Sequence, residues 1–173
     1  MVSQEFITQN ARQTQKLAER FSRKIKAMPA GRQGGEVLAL YGELGSGKTT
    51  FVQGLARGLG IKKRILSPSF TLIRQYKISP PRSPFGHLGG GEATTSTPAR
   101  CKTLYHIDLY RIENEKDIEG LGLKEIWSDP KNIVAIEWAE KIKKILPKKR
   151  WDIKFAYLDI DKRKITISFS SFW

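Results

Sequence analysis

Apolar residues recur at four-residue spacing between Asn10 and about Met28, where Leu17, Phe21 and Ile25 form a stripe with Ala18 beside it. That period predicts an amphipathic helix. Asn10 and Gln13 fit its N-cap and the N3 partner that reaches back. The segment "PAGRQGG" (29–35) then reads as a flexible connection. Val37 to Tyr41, "VLALY", is apolar on both faces, as a central strand of a parallel sheet requires. Helical spacing returns from Thr49 to Leu59, with Phe51, Val52, Leu55 and Leu59 on one side and Gly60 placed to stop the helix.

Further along, "SFTLIRQYKI" (69–78) and "TLYHIDLYRI" (103–112) both read as strands. Between them, residues 79–102 are rich in Pro, Gly, Ser and Thr and have no period that could bury a face. They are expected to form a disordered or loosely ordered insertion at the tip of an enlarged hairpin. "NEKDIEGLGLKEIWSDP" (114–130) suggests short helical pieces that end before Pro130, and "NIVAIEW" (132–138) an apolar strand that ends in an acid. "RWDIKFAYLDI" (150–160) and "KITISFSSFW" (164–173) alternate regularly and predict a closing antiparallel pair around the "DKRK" turn. No internal repeat is visible, and residues 1–173 are expected to form one domain.

Composition narrows this picture only modestly. No apolar run is long enough to cross a bilayer. The opening "MVSQEFITQN" lacks the charged start and apolar middle of a secretory leader, so a cytoplasmic protein without a membrane partner is expected. A single cysteine, Cys101, excludes an internal disulfide, and with two histidines it cannot build a zinc site. The net charge of +14 draws the chain toward polyanions such as RNA and toward acidic partners.

The stretch that carries chemistry is "GELGSGKTT", residues 42–50, directly after the central strand. Gly42-x-x-x-x-Gly47-Lys48-Thr49 satisfies the P-loop pattern, with a strand before it and a helix after it. Gly42, Gly45 and Gly47 permit the backbone turns that wrap phosphate oxygens with successive N–H groups, and Ser46 and Thr50 complete the segment. The helix beginning near Lys48 adds its positive end. Lys48 can then reach the β- and γ-phosphates, and the Thr49 hydroxyl can ligate Mg²⁺. The expected fold class is therefore α/β, a P-loop NTPase whose mostly parallel sheet is flanked by helices and finishes in an antiparallel pair.

Such a site needs acids to hold Mg²⁺ and to orient the attacking water. Glu137, after "IVAI", is the better Walker-B-like candidate, because four apolar residues leading to a carboxylate describe a buried strand emerging at the site. Asp108 sits on an alternating strand, where it is either a site acid or a surface residue.

Taken together, "GELGSGKTT", "SPSFTLIRQY", "YHIDLYRI" and "AIEW" stand in the order and spacing of the bacterial TsaE (YjeE) ATPases. The chain resembles that family over residues 42 to 138, and its "RQTQKLAER" segment is similar to the family's lead-in helix. The resemblance implies a small ATPase that uses ATP and Mg²⁺. It would assist the tRNA-modifying enzyme of the threonylcarbamoyl pathway and that enzyme's paralogous partner, resetting the assembly between turnovers. It implies that Asp108 and Glu137 are both essential acids, with Trp138 beside the nucleotide. Glu137 is expected near Mg²⁺, and Asp108 near the attacking water or Thr49. Ser67 and Ser69 occupy the family's switch-like segment, where they would sense the γ-phosphate; the family more often has Thr at the second position. Thr14 and Arg163 fall at nucleotide-proximal positions of the family. His106 is expected to pack or hydrogen-bond within its strand. Arg111 is the motif-borne candidate for an arginine finger, or else a brace for its strand.

The basic runs "KIKKILPKKR" (141–150), "KKR" (62–64) and "DKRK" (161–164) could join into a patch that contacts tRNA, with Trp151 as a stacking face. Two other readings share the loop: a small-molecule kinase, and a basic RNA-binding module with a structural nucleotide site. The ATPase accounts best for two separate strand-end acids.

Overall fold

A computed structural model of the chain describes residues 3–27, 34–78, 103–113 and 115–170. The expected insertion at 79–102 and most of the 29–35 connection lie outside these residues. Seven strands form one sheet in the order β1-β7-β6-β2-β5-β4-β3. They are β1 (Ser3–Thr8), β2 (Glu36–Tyr41), β3 (Ile73–Lys77), β4 (Thr103–Asp108), β5 (Asn132–Glu137), β6 (Arg150–Tyr157) and β7 (Arg163–Ser170). The helices are α1 (Ala11–Lys26), α2 (Lys48–Gly58) and α3 (Leu123–Ser128).

The centre of the sheet is parallel. β2 pairs in parallel with both β5 and β6, and β5 with β4. Both margins are antiparallel, through β3–β4 on one side and β6–β7–β1 on the other. The mostly parallel sheet expected from the sequence thus holds for the centre only. The antiparallel β3–β4 pair agrees with the expected hairpin, but its strands are shorter. Residues 69–72 form a turn with Leu72 at φ +59°, and the chain leaves β4 after Asp108. β1 has no clear sequence signal, because an edge strand buries little: Thr8 alone is fully buried in "SQEFIT".

Alternation along the central strands separates two cores. Leu38, Leu40, Leu104, Ile133 and Ala135 face α1 and α2, joining Phe21, Ile25, Phe51 and Leu55. Val37, Ala39, Ile107, Val134 and Ile136 face the other side, where Leu123 and Trp127 of α3 and the short turn Ala139–Ile142 cover them. Asn10 caps α1 through its side-chain oxygen, which accepts from Gln13 N at 3.0 Å. The Gln13 side chain in turn accepts from Gln9 N at 2.8 Å, one residue earlier than in an ideal capping box.

α1 and α2 lie against each other with almost no space between them. A Cβ at Gly54 would stand 2.6 Å from Gln15 Cα, and one at Gly58 would stand 2.8 Å from the Glu19 carbonyl oxygen. Two glycines one helical turn apart therefore set the approach of the two backbones. Gly54→Ala is expected to lose up to about 2 kcal/mol in urea unfolding, because overpacking of about 1–3 kcal/mol is offset only in part by the ~1 kcal/mol gain in helix propensity.

On the far side of the sheet a polar knot joins β2, β6 and β7. Asp152 accepts from Tyr41 Oη at 2.8 Å, from Arg150 Nε at 2.7 Å and from the Ser170 hydroxyl. Burial first, and the Asp152 carboxylate second, push the Tyr41 phenol up from 10.0 to about 12. Between those two values the folded chain holds a proton that the unfolded chain has lost, so stability falls as pH rises from 10.0 to about 12. Tyr41→Phe is expected to flatten that alkaline loss relative to wild type in pH-dependent denaturation.

Candidate active site

The site is built where β2 ends and α2 begins. Gly42 has φ +141°, and a Cβ there would meet the Phe155 carbonyl oxygen at 2.7 Å, so only glycine carries the chain across β6 at this point. Gly47, at φ +103°, is the N-cap of α2. The loop is fastened from behind by the β6–β7 hairpin. Tyr157 Oη donates to Leu44 O at 2.6 Å, and an Arg163 guanidinium nitrogen reaches Gly45 O at 3.4 Å. Arg163 also lies 4.3 Å above the Tyr157 ring.

Lys48 opens α2 and is 4% exposed. Its ammonium donates to the carbonyls of Gly42 at 2.6 Å and Glu43 at 2.8 Å, and it lies 4.0 Å from the centre of the Trp138 ring. Burial lowers its pKa, while the charges of Glu137, Glu140 and Asp108 act in the opposite sense. Trp138 follows β5 at φ +60°, a left-handed turn that brings its ring under the lysine.

Strand parity delivers the acids. His106 and Asp108 share the α2-facing side of β4 with Leu104, and Glu137 shares that side of β5 with Ile133 and Ala135. The parallel register sets Asp108 directly opposite Glu137 at the end of both strands. Both carboxylates are 3% exposed, which overturns the reading of Asp108 as a surface residue. Glu137 is held by two donors: Thr49 Oγ1 at 2.9 Å from one oxygen, and His106 Nε2 at 2.7 Å from the other. Asp108 accepts from Ser69 Oγ at 2.7 Å, from Tyr110 N at 3.0 Å and from the Ser67 hydroxyl.

Most sequence-selected residues therefore meet in one cleft of about 450 Å³. Gly45, Gly47, Lys48, Thr49 and Thr50 line it from the loop and helix. Ser67, Ser69, Asp108, Glu137 and Trp138 line it from the strands and the switch-like turn. Ser46 lies beneath, fully buried, and its hydroxyl has no partner among the described residues. Arg111 also borders the cleft, with its guanidinium 4.1 Å from the ring of exposed Phe70.

Several expectations change. Thr49 pairs with Glu137, not Asp108, whose oxygens are occupied by the two serines and a backbone amide. Thr14 is not among the residues lining the cleft. It is 2% exposed, and its hydroxyl bonds to Thr8 Oγ1 at 2.8 Å where β1 enters α1. His106 bonds across to the neighbouring strand rather than within its own. Trp151 is 5% exposed and wedged between Phe21 and Phe169, so it offers no stacking face. The basic runs do not join into one patch. Ile61 and Ile65, flanking "KKR", belong to the α1–α2 core, whereas Ile142 and Leu146 of the 141–150 run belong to the opposite one. Tyr110 and Phe70 lie inside quoted motifs that assign them no role, and Tyr157 carried no sequence signal, since their roles depend on the hairpin and turn that place them.

Fold and site together define a mixed α/β protein whose cleft lies at the carboxyl ends of parallel strands, the usual ligand position in such sheets. The family model described as "Threonylcarbamoyl adenosine biosynthesis protein TsaE" matches residues 8–165. The tRNA threonylcarbamoyladenosine biosynthesis protein TsaE of Bacillus subtilis is 37% identical over 134 residues, covering 78% of this chain and 70% of that one. The protein of the same name from Nostoc is 40% identical over 111 residues, covering 62% of this chain and 55% of that one. A crystal structure of Bacillus subtilis YdiB is similar at a TM-score of 0.65 and 29% identity, over 98% of this chain and 87% of that one. The chain belongs to the TsaE family, with a role in tRNA threonylcarbamoyladenosine biosynthesis.

The buried carboxylate of Asp108 depends on its serine donors. Ser67→Ala with Ser69→Ala is expected to cost roughly 1–3 kcal/mol of stability through the donors it removes. Denaturant unfolding measures this, and Asp108→Asn in the same background should recover part of the loss.

Proposed function

We propose that the chain is a P-loop NTPase that binds ATP with Mg²⁺ in this cleft and hydrolyses it. It acts as an accessory subunit to the tRNA-modifying enzyme of the pathway and that enzyme's paralogous partner. The observation that carries the reading is the junction of Thr49 with Glu137 beside Lys48, at the mouth of the glycine loop. A hydroxyl and a carboxylate are hard oxygen donors of the kind Mg²⁺ takes, and Thr49 and Glu137 would hold it, with Asp108 nearby. Bound there, Mg²⁺ would neutralise charge on the β- and γ-phosphate oxygens.

The protein's own groups account for the rest. Backbone N–H groups of Gly45 and of Gly47 to Thr50, together with the positive end of α2, would receive the phosphates, while Ser46 N closes the loop on Glu43 O at 3.1 Å. Lys48 would exchange the carbonyls of Gly42 and Glu43 for phosphate oxygens. An anion at this position restores the charged form that burial disfavours. His106 fixes one oxygen of Glu137, leaving the oxygen shared with Thr49 facing the cleft. Asp108 accepts from the Ser67 and Ser69 hydroxyls on one oxygen, and its other oxygen, with a lone pair left beside Tyr110 N, would orient water for attack on the γ-phosphorus as the β–γ bridging oxygen leaves. With Arg111, the candidate arginine finger, resting on the Phe70 ring, turnover by the chain alone is expected to be slow and to rise with partners.

Lys48→Ala should reduce Mg²⁺-dependent phosphate release at least 100-fold while leaving the circular dichroism spectrum unchanged. Unaltered phosphate release by that variant, or no magnesium-linked nucleotide uptake by the folded wild type in calorimetry, would falsify the assignment.

A further inference from the structure

The charge of +14 is distributed unequally between the two faces of the sheet. Helix α1 exposes Arg12, Lys16, Arg20, Arg23, Lys24 and Lys26, and Glu19 is its sole acid. Residues 48–66, which comprise α2 and the segment after it, add Arg57, Lys62, Lys63 and Arg64 at the surface and contain no acid. The opposite layer mixes its lysines with acids such as Asp117, Glu119, Glu125, Asp129 and Glu140, and Lys141 there is bound to the carbonyls of Tyr110 and Ile112.

On the basic face the cations converge. Arg57, Lys62, Lys63 and Arg64 line a groove of about 670 Å³ where α2 ends and the chain turns back through Ile65. Its floor is fixed by side-chain amides. Gln53 donates to Ile65 O at 3.2 Å and accepts from Gln15 at 3.0 Å, and Gln15 accepts from Arg57 at 3.3 Å. The carbonyls that end α2 are already taken. Leu59, Gly60 and Ile61 amides close those of Leu55, Arg57 and Ala56, and the Lys26 ammonium takes Gly58 O at 2.9 Å. The groove therefore presents cations in place of the negative end of a helix. Lys62, Lys63 and Arg64 have no hydrogen bond or ion pair among the described residues, so their charge is available to a ligand.

We infer that this groove, with the adjoining basic face of α1, is a binding site for the phosphate backbone of folded RNA, separate from the nucleotide cleft. The 16 residues of α1 extend its cations over about 24 Å, enough to follow several successive phosphates. A concave, polar, cationic groove receives a convex ridge of phosphates, whereas a planar lipid surface meets only its rim. Of the large exposed apolar side chains among the described residues, Leu66 adjoins the groove, whereas the more exposed Leu44 and Phe70 lie at the cleft and Ile160 at the β6–β7 tip. Contacts of this kind position an RNA without reading its sequence.

The test is fluorescence anisotropy of a labelled tRNA transcript with the full chain between 50 and 200 mM salt. The choice of tRNA as probe rests on the family's pathway; the groove's preference for phosphate does not. Lys62→Ala/Lys63→Ala/Arg64→Ala is expected to weaken binding at least tenfold and to lower the log–log salt slope by about 2–3, near one per lost phosphate contact. Lys143→Ala/Lys148→Ala/Lys149→Ala, on the opposite face, is expected to stay within twofold of wild type. Lys48→Ala is expected to lose phosphate release and keep RNA affinity, so failure of the groove and failure of the ATPase reading are seen separately. Equal losses in the two triple variants would overturn the site. So would loss of RNA affinity in Lys48→Ala, which would place the RNA at the cleft. Wild-type binding to phosphatidylserine vesicles as tight as to tRNA would overturn the choice of RNA.

Discussion

The register between β4 and β5 is the constraint on which the cleft depends. Pairing Asp108 with Glu137 places two buried carboxylates side by side at the ends of adjacent parallel strands. Like charges that close raise each other's cost unless donors surround them. Those side-chain donors come from three separate places in the sequence: Thr49 in α2, His106 two residues before Asp108 on β4, and Ser67 and Ser69 in the turn before β3. A one-residue slip of β4 against β5 would send Asp108 and His106 to the α3 side and leave Ser67, Ser69 and Glu137 without those partners.

Holding α2 in place is the second requirement, and it is met from two directions. Gly54 and Gly58 allow α1 to lie directly on α2, while Phe51 and Leu55 seat α2 on the central strands. From the other side, Tyr157 and Arg163 fasten carbonyls of the glycine loop to the β6–β7 hairpin. The antiparallel end of the chain is thus part of the cleft's frame. A hairpin far away in sequence fixes the loop's backbone.

The same alternation of strand faces that separates two apolar cores also separates two electrostatic surfaces. Segments returning over the α1–α2 side carry lysine and arginine almost without acids, and those on the α3 side carry both signs. Such a division matters more for association than the net charge, because attraction to a polyanion follows the local field and weakens within about 8–10 Å at physiological salt.

Much of this was legible along the chain. Four-residue spacing marked α1 and α2, uniform apolarity marked β2 and β5, and the spacing of Gly42, Gly47, Lys48 and Thr49 marked the loop. These signals are local, set by periodicity and by glycine's backbone freedom. The sequence alone also nominated Glu137, because a buried strand ending in an acid is itself a local pattern. Which acid meets Thr49, that Thr14 stays with Thr8, that Trp151 is core, and that the basic runs fall on opposite faces were decided only by tertiary structure. Each depends on strand order and register, and those are settled by contacts between residues far apart in the chain.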